Sequence, residues 1–213
     1  MGPHPDQPRP DSVDTRALLD RAAAGDPAAA GELLARHRAA LRGFVELHLD
    51  AAVRARVDPS DVVQEAHADM ARQLPDYLAR RPMPFHLWAR KAAYNRVLNA
   101  RRDHRAARRD VRREAAAPDQ SSLALAASIL DPRPSPGEDA VARETAARVA
   151  AAVDGLDPAD REVLLLRQVD RLPYDEAAVL LGVTPAAARQ RYGRALIRLR
   201  RALAGLGFTE AAP

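Results

Sequence analysis

The chain has 213 residues, a formal net charge of +4 and no cysteine. That length admits one large domain or two small ones with a linker, and the missing cysteine excludes disulfides and thiolate zinc sites. The histidines (His4, His37, His48, His67, His86 and His104) form no ligand cluster in sequence, no apolar run is long enough to cross a bilayer, and the N-terminus lacks an apolar signal-peptide core. The expectation is a cytoplasmic chain without membrane insertion, bound metal or cofactor.

Residues 1–13 are proline-rich with little to bury and are read as a disordered tail. From there the apolar spacing is helical almost throughout, with hardly any strand pattern. A first helix runs from about Asp14 to Gly25. Asp26–Pro27 then supplies a cap and a first-turn proline for the next helix, whose inner face carries Leu33, Leu34, Leu41, Phe44, Val45 and Leu49. After a break at 57–60, a helix over 61–74 turns Val62, Val63, Ala66, Met70 and Leu74 inward. Pro75, Pro82 and Pro84 make 75–84 a loop, with Tyr77 exposed on it. A long helix from Phe85 toward Arg113 follows, with Leu87, Trp88, Ala92, Tyr94 and Leu98 as its apolar side.

Residues 114–139 are rich in proline and serine and read as a flexible linker, with a transient helix at Leu123–Leu130. Helicity resumes over 140–206, ahead of a tail at 207–213. In this last stretch Asp157 caps and Pro158 opens a helix, Tyr174–Leu181 is a short second one, and Gly182 stands where the turn needs a positive φ. Thr184 caps a long third helix with Pro185 in its first turn. The fold class is all-α: two small helical domains, 14–113 and 140–206, joined by a linker, the second a helix-turn-helix.

Charge is clustered rather than spread. The 85–113 helix carries Lys91, the only lysine, with Arg96, Arg101, Arg102 and Arg105 and further arginines beyond. The final helix carries Arg189, Gln190, Arg191 and Arg194 after small residues Ala186 to Ala188, which allow close approach to DNA. Such stripes match phosphate, and arginine's fork also matches guanine edges. Nearby aromatics and the Asn95 amide suit unstacked bases. The 61–74 helix has the opposite sign, with Asp61, Glu65 and Asp69 beside Gln64, a face suited to a basic protein partner. Paired carboxylates, a phosphate-cradling glycine loop and a nucleophile–base group are all missing from the pattern, so the chain does not read as an enzyme.

The segments DPSDVVQEAHADM and PFHLWARKAAYNRVLNARR, together with the C-terminal run, resemble a bacterial RNA polymerase sigma factor of the sigma-70 class, in its two-domain extracytoplasmic-function type. The resemblance covers about residues 14–206 apart from the linker. It implies that Asp61, Gln64 and Glu65 dock on the clamp coiled coil of the largest subunit of core RNA polymerase. It implies that Tyr77, Lys91, Asn95, Arg96, Arg101, Arg102 and Arg105 melt and hold the minus-ten element of promoter DNA. It assigns the minus-thirty-five element to Thr184, Ala187, Arg189, Gln190, Arg191 and Arg194, and runs the linker near the RNA exit path. Many members are held by an anti-sigma factor, though the sequence identifies none. His67, Ala177, Pro185 and Ala187 depart from the family's usual residues. The alternative reading is a helix-turn-helix transcription regulator that acts without the polymerase, which a binding assay with core enzyme separates.

Overall fold

The structure is a computed structural model that describes residues 11–107, 120–130 and 139–205, with backbone only for 105–107, 130 and 139–143. Every described element is helical. The chain divides into two compact units, one over residues 8–112 and one over most of the remainder, from 113 onward.

In the N-terminal unit, α1 (Val13–Ala23) and α2 (Pro27–His48) are separated by a turn whose Asp26 side chain accepts from the amides of Ala28 and Ala29, with Pro27 in the first turn. A short α3 (Ala51–Arg54) leads to α4 (Pro59–Arg80), capped by Asp58 through the Ser60 amide, and then to α5 (Phe85–Ala107). The helices α2, α4 and α5 pack on one another, and α1 covers α2 and α4. Their shared core holds Leu33, Leu41, Phe44, Val45, Val63, Met70, Leu87 and Val97. On α5 the buried face is Phe85, Ala89, Ala93, Tyr94 and Val97, one step round from the expected Ala92 and Leu98; Leu98 is exposed.

Two further expectations for this unit fail. Helix α4 does not stop at Leu74 but continues through Pro75 to Arg80. An interior proline costs about 3 kcal/mol, yet the extra turns keep Leu74 and Tyr77 in the core, and burying two large side chains outweighs that. The helix ends at Arg81, a left-handed residue (φ 38°) whose amide donates to the Tyr77 carbonyl and whose guanidinium pairs with Asp20 at 2.9 Å. Tyr77 is therefore buried rather than exposed on a loop. Its hydroxyl donates to the Met83 carbonyl at 2.9 Å, and its ring meets Phe85 and Trp88 at 5.5 and 4.6 Å. Burial, then the charge of Asp11, push its pKa up to about 12, so the phenol remains a donor.

The expected tail also yields a structural residue. Residues 1–10 lie outside the described residues, but Asp11 reaches the start of α5. Its carboxylate accepts from the Phe85 and His86 amides at 2.7 and 3.1 Å and meets the His86 ring nitrogen at 2.9 Å. Burial by itself would raise the Asp11 pKa, but the bonds from His86 and from the two amides prevail and hold it below 3.8. This contribution to stability is present above the ordinary carboxylate range and is lost as pH falls through the lowered value. Replacing Asp11 by alanine should destabilise the N-terminal unit by about 1 kcal/mol near neutral pH. The difference from wild type should shrink below about pH 4, and a denaturation series against pH reads it directly.

In the C-terminal unit, α6 (Gln120–Leu130) packs against α7 (Asp139–Asp154) and against the chain at 165–169. This differs from the expected linker over 114–139. Leu125 and Ala126 are fully buried, and Ala126 packs with Val149 and Ala150, with Ile129 and Leu203 packed against that cluster. The Ser122 hydroxyl donates to Asp154, and Arg161 donates to the Ser121 hydroxyl. The unit thus begins ahead of residue 140. Helix α8 (Pro158–Leu164), capped by Asp157, runs into a π-helical turn at 165–169. Then come α9 (Tyr174–Leu181) and α10 (Pro185–Gly205), the last packed on α7, α8 and α9.

Candidate nucleic-acid and partner interfaces

The acidic side of α4 is built by spacing. Asp61, Gln64 and Glu65 stand at i, i+3 and i+4, which puts them on one helix face, and all three are exposed. Asp69 lies one turn farther and is largely covered. Its carboxylate takes the Arg96 guanidinium from α5, and Arg96 also reaches Glu65 at 3.1 Å. Arg96 therefore links α5 to the acidic helix instead of standing free over the surface. Arg101 is also turned inward: it donates to the His48 carbonyl, lies 3.5 Å from Asp50, and its side chain is 13% exposed.

What remains outward on α5 is a shorter row. Asn95 and Arg102 are exposed, and Lys91 is half-buried. Arg102 donates to the Asn99 side chain. Arg105 is on the same helix, but its side chain and the residues from Arg108 to Arg113 lie outside the described residues. Lys91 and Asn95 share a cavity of about 230 Å³ with Asp69, Gln73, Met83 and Trp88. Trp88 is half-buried, fixed from behind by Tyr77 and Phe85. The cavity thus combines an aromatic wall, an ammonium and two side-chain amides, groups able to stack on a base and bond its edge. A wider hollow of about 660 Å³ opens beside Glu65, with Arg56, Asn99, Arg102 and His104 on its walls.

The helix-turn-helix is formed locally. Gly182 closes α9 in the left-handed region (φ 66°), where a side chain would be strained. The Val183 amide returns to the Ala178 carbonyl, and the Thr184 hydroxyl accepts from the Ala187 amide at 3.2 Å. Thr184 acts as the cap of α10, and the Ala187 backbone is engaged in it. Ala188, Ala195 and Leu199 face the unit's interior, whereas Arg189, Gln190 and Arg194 are exposed and Arg191 is half-buried. Farther along, Arg198 pairs with the covered Asp160 of α8 and holds the two helices together.

Sequence reasoning missed one grouping here. The guanidinium of Arg189 lies 4.9 Å from the centre of the Tyr174 ring, and that of Arg167 lies 4.0 Å from the same centre. Tyr174 meets Tyr192 edge-on at 5.9 Å, and Gln168 donates to the Tyr192 hydroxyl. The contributing residues lie on three separate segments, 165–169, α9 and α10, so only the position of Tyr174 at the start of α9 was legible. Among the described residues no group of histidine and carboxylate side chains could hold a metal ion, and no helix is long and apolar enough to cross a membrane.

Three comparisons bear on this architecture. Residues 146–199 match the family model for sigma-70, region 4. The RNA polymerase sigma factor CnrH of Cupriavidus metallidurans is 32% identical over 196 residues, covering 89% of this chain and 94% of CnrH. The ECF RNA polymerase sigma factor SigD of Mycobacterium tuberculosis is 29% identical over 195 residues, covering 90% of this chain and 84% of SigD. Among solved structures, that of CnrH in complex with the cytosolic domain of CnrY superimposes with a TM-score of 0.56 at 27% identity, covering 91% of this chain and 99% of CnrH.

Proposed function

Since the chain belongs to the RNA polymerase sigma factors of the sigma-70 class, in the extracytoplasmic-function type, we propose that its two units divide promoter recognition between the faces described above. As a sigma factor it is a promoter-specificity subunit rather than an enzyme; it binds core RNA polymerase and promoter DNA, and the polymerase performs the chemistry. In this reading Asp61, Gln64 and Glu65 dock on the clamp coiled coil of the largest subunit. The Trp88–Lys91–Asn95 cavity receives an unstacked base of the minus-ten element. The first turns of α10, with Arg189, Gln190, Arg191 and Arg194, read the minus-thirty-five element. The chain acts in the cytoplasm, where polymerase and DNA meet. CnrH is solved with the cytosolic domain of CnrY bound, and a protein partner of that kind, an anti-sigma factor, is the matching mode of control here.

The observation that carries the reading is the cavity. An aromatic wall and amide donors beside the acidic helix support a base being held next to the polymerase. The buried Tyr77 supports this wall from within, as a brace for Trp88 rather than a contact to DNA. Arg96 and Arg101, bound to carboxylates and carbonyls of their own unit, are better suited to fixing α5 than to neutralising phosphate.

Replacing Asn95 by alanine should leave affinity for core polymerase unchanged and reduce open-complex formation about tenfold, the scale of one lost base contact. Permanganate reactivity of promoter thymines in a reconstituted reaction measures it. A pre-melted template should not rescue the variant, because the missing contact is to the separated strand. Wild-type reactivity in the Asn95 variant would remove the cavity from the mechanism.

A further inference from the structure

The grouping around Tyr174 has a consequence for how the recognition helix discriminates. Arg189 is the fifth residue of α10, in the part of the helix that offers small residues and exposed donors. A long arginine side chain loses rotamer freedom when it is fixed on a base edge, and that loss reduces the discrimination it delivers. One already resting on an aromatic face loses less, because the ring quadrupole attracts the guanidinium before DNA is present. The ring is itself held. Arg167 lies over it at 4.0 Å and is anchored by donation to the Leu172 carbonyl. Tyr192 abuts it, and Gln168 fixes Tyr192 in turn.

We propose that Tyr174 is a specificity-determining positioning residue: its ring holds Arg189 in place for the upstream promoter element, so that base discrimination by Arg189 requires an aromatic face at position 174. This rests on the reading of α10 as the reader of that element. Tyr174 acts through Arg189, and its hydroxyl is not required.

The test uses the full chain bound to core polymerase. The probes are a duplex selected by wild-type holoenzyme from a pool randomised across the upstream element, and the same duplex with that element scrambled. The readout is the ratio of the two affinities at one fixed salt concentration, because absolute affinities vary with salt. Tyr174→Phe should keep the wild-type ratio, and Tyr174→Leu should lower it about fivefold, the scale of a partly exposed cation–π contact. Arg189→Ala should lower it at least as much, and Tyr174→Leu should add nothing in the Arg189→Ala background. Tyr174→Met serves as a second non-aromatic variant should the leucine variant fold poorly by circular dichroism. A wild-type ratio in Tyr174→Leu or Tyr174→Met, alongside a lowered one in Arg189→Ala, overturns the positioning role and leaves the reader intact. Additive losses in the double variant overturn it as well, since Tyr174 would then act independently. An unchanged ratio in Arg189→Ala overturns it together with the base-reading role of Arg189. A pool from which wild-type holoenzyme selects nothing in the upstream element instead overturns the reading of α10 itself.

Discussion

Replacing Asp61 and Glu65 together by lysine is expected to weaken binding to core RNA polymerase by about 100-fold or more, since like charges facing each other across an interface cost several kcal/mol. Both side chains are exposed on one face of α4, so the substitution changes the sign of that face without opening the core. The fold should survive. Glu65 loses an exposed pair with Arg96, and such pairs contribute about 0–1 kcal/mol. Asp61 loses a first-turn interaction with the helix dipole of about 0.3–1 kcal/mol. Arg96 retains Asp69, which anchors it to α4 without Glu65. A charge reversal at Asp76, exposed near the far end of the same helix, is the control and should leave core affinity unchanged. Titration of labelled sigma factor with core enzyme, with circular dichroism alongside, decides the matter. Wild-type affinity in the double variant would move docking to another surface.

The second large effect is on the C-terminal unit. Replacing Leu125 by alanine should destabilise this unit by about 3 kcal/mol, the middle of the range for emptying a buried leucine site. The unfolding of the N-terminal unit should be unaffected, as Leu125 is buried on α6, which packs on α7 and on 165–169 of its own unit. Fragments give the same test in a stronger form. A fragment over 114–213 should unfold cooperatively, whereas one over 140–213 lacks α6 and exposes Val149 and Ala150. It also leaves Asp154 without Ser122, and Arg161 without Ser121. Thermal melts of the two fragments should therefore differ widely. Equal melting temperatures would return residues 120–130 to the role of a linker.

That misreading has a physical origin. The prolines and serines flanking α6 set the average character of 114–139; a helix at Leu123–Leu130 was legible, but the partners that hold it in the unit, Val149, Ala150, Asp154 and Arg161, lie on other segments. Pro75 misled in a similar way. A proline marks a helix end when nothing compensates its missing bond, but here Leu74 and Tyr77 are drawn into a core that the local sequence does not contain. With Tyr77 placed on a loop, its ring appeared available to a base, whereas in the fold it supports Trp88.

The sequence by itself determined what is settled within a turn or two of chain. The caps at Asp26, Asp157 and Thr184, the left-handed Gly182, the helical class and the helix-turn-helix all depend on neighbours a few residues away. The acidic row at Asp61, Gln64 and Glu65 was legible for the same reason, because helical spacing alone puts those residues on one face. Only the tertiary structure decided which cations remain outward. Arg96 and Lys91 look alike in sequence, as do Arg101 and Arg102. Yet Arg96 and Arg101 are engaged by Asp69, Glu65, Asp50 and the His48 carbonyl across the unit. The same holds for Asp11 on α5 and Arg189 on Tyr174. A charge's role depends on the dielectric and the partners around it, and those are brought together by packing between segments that periodicity cannot align.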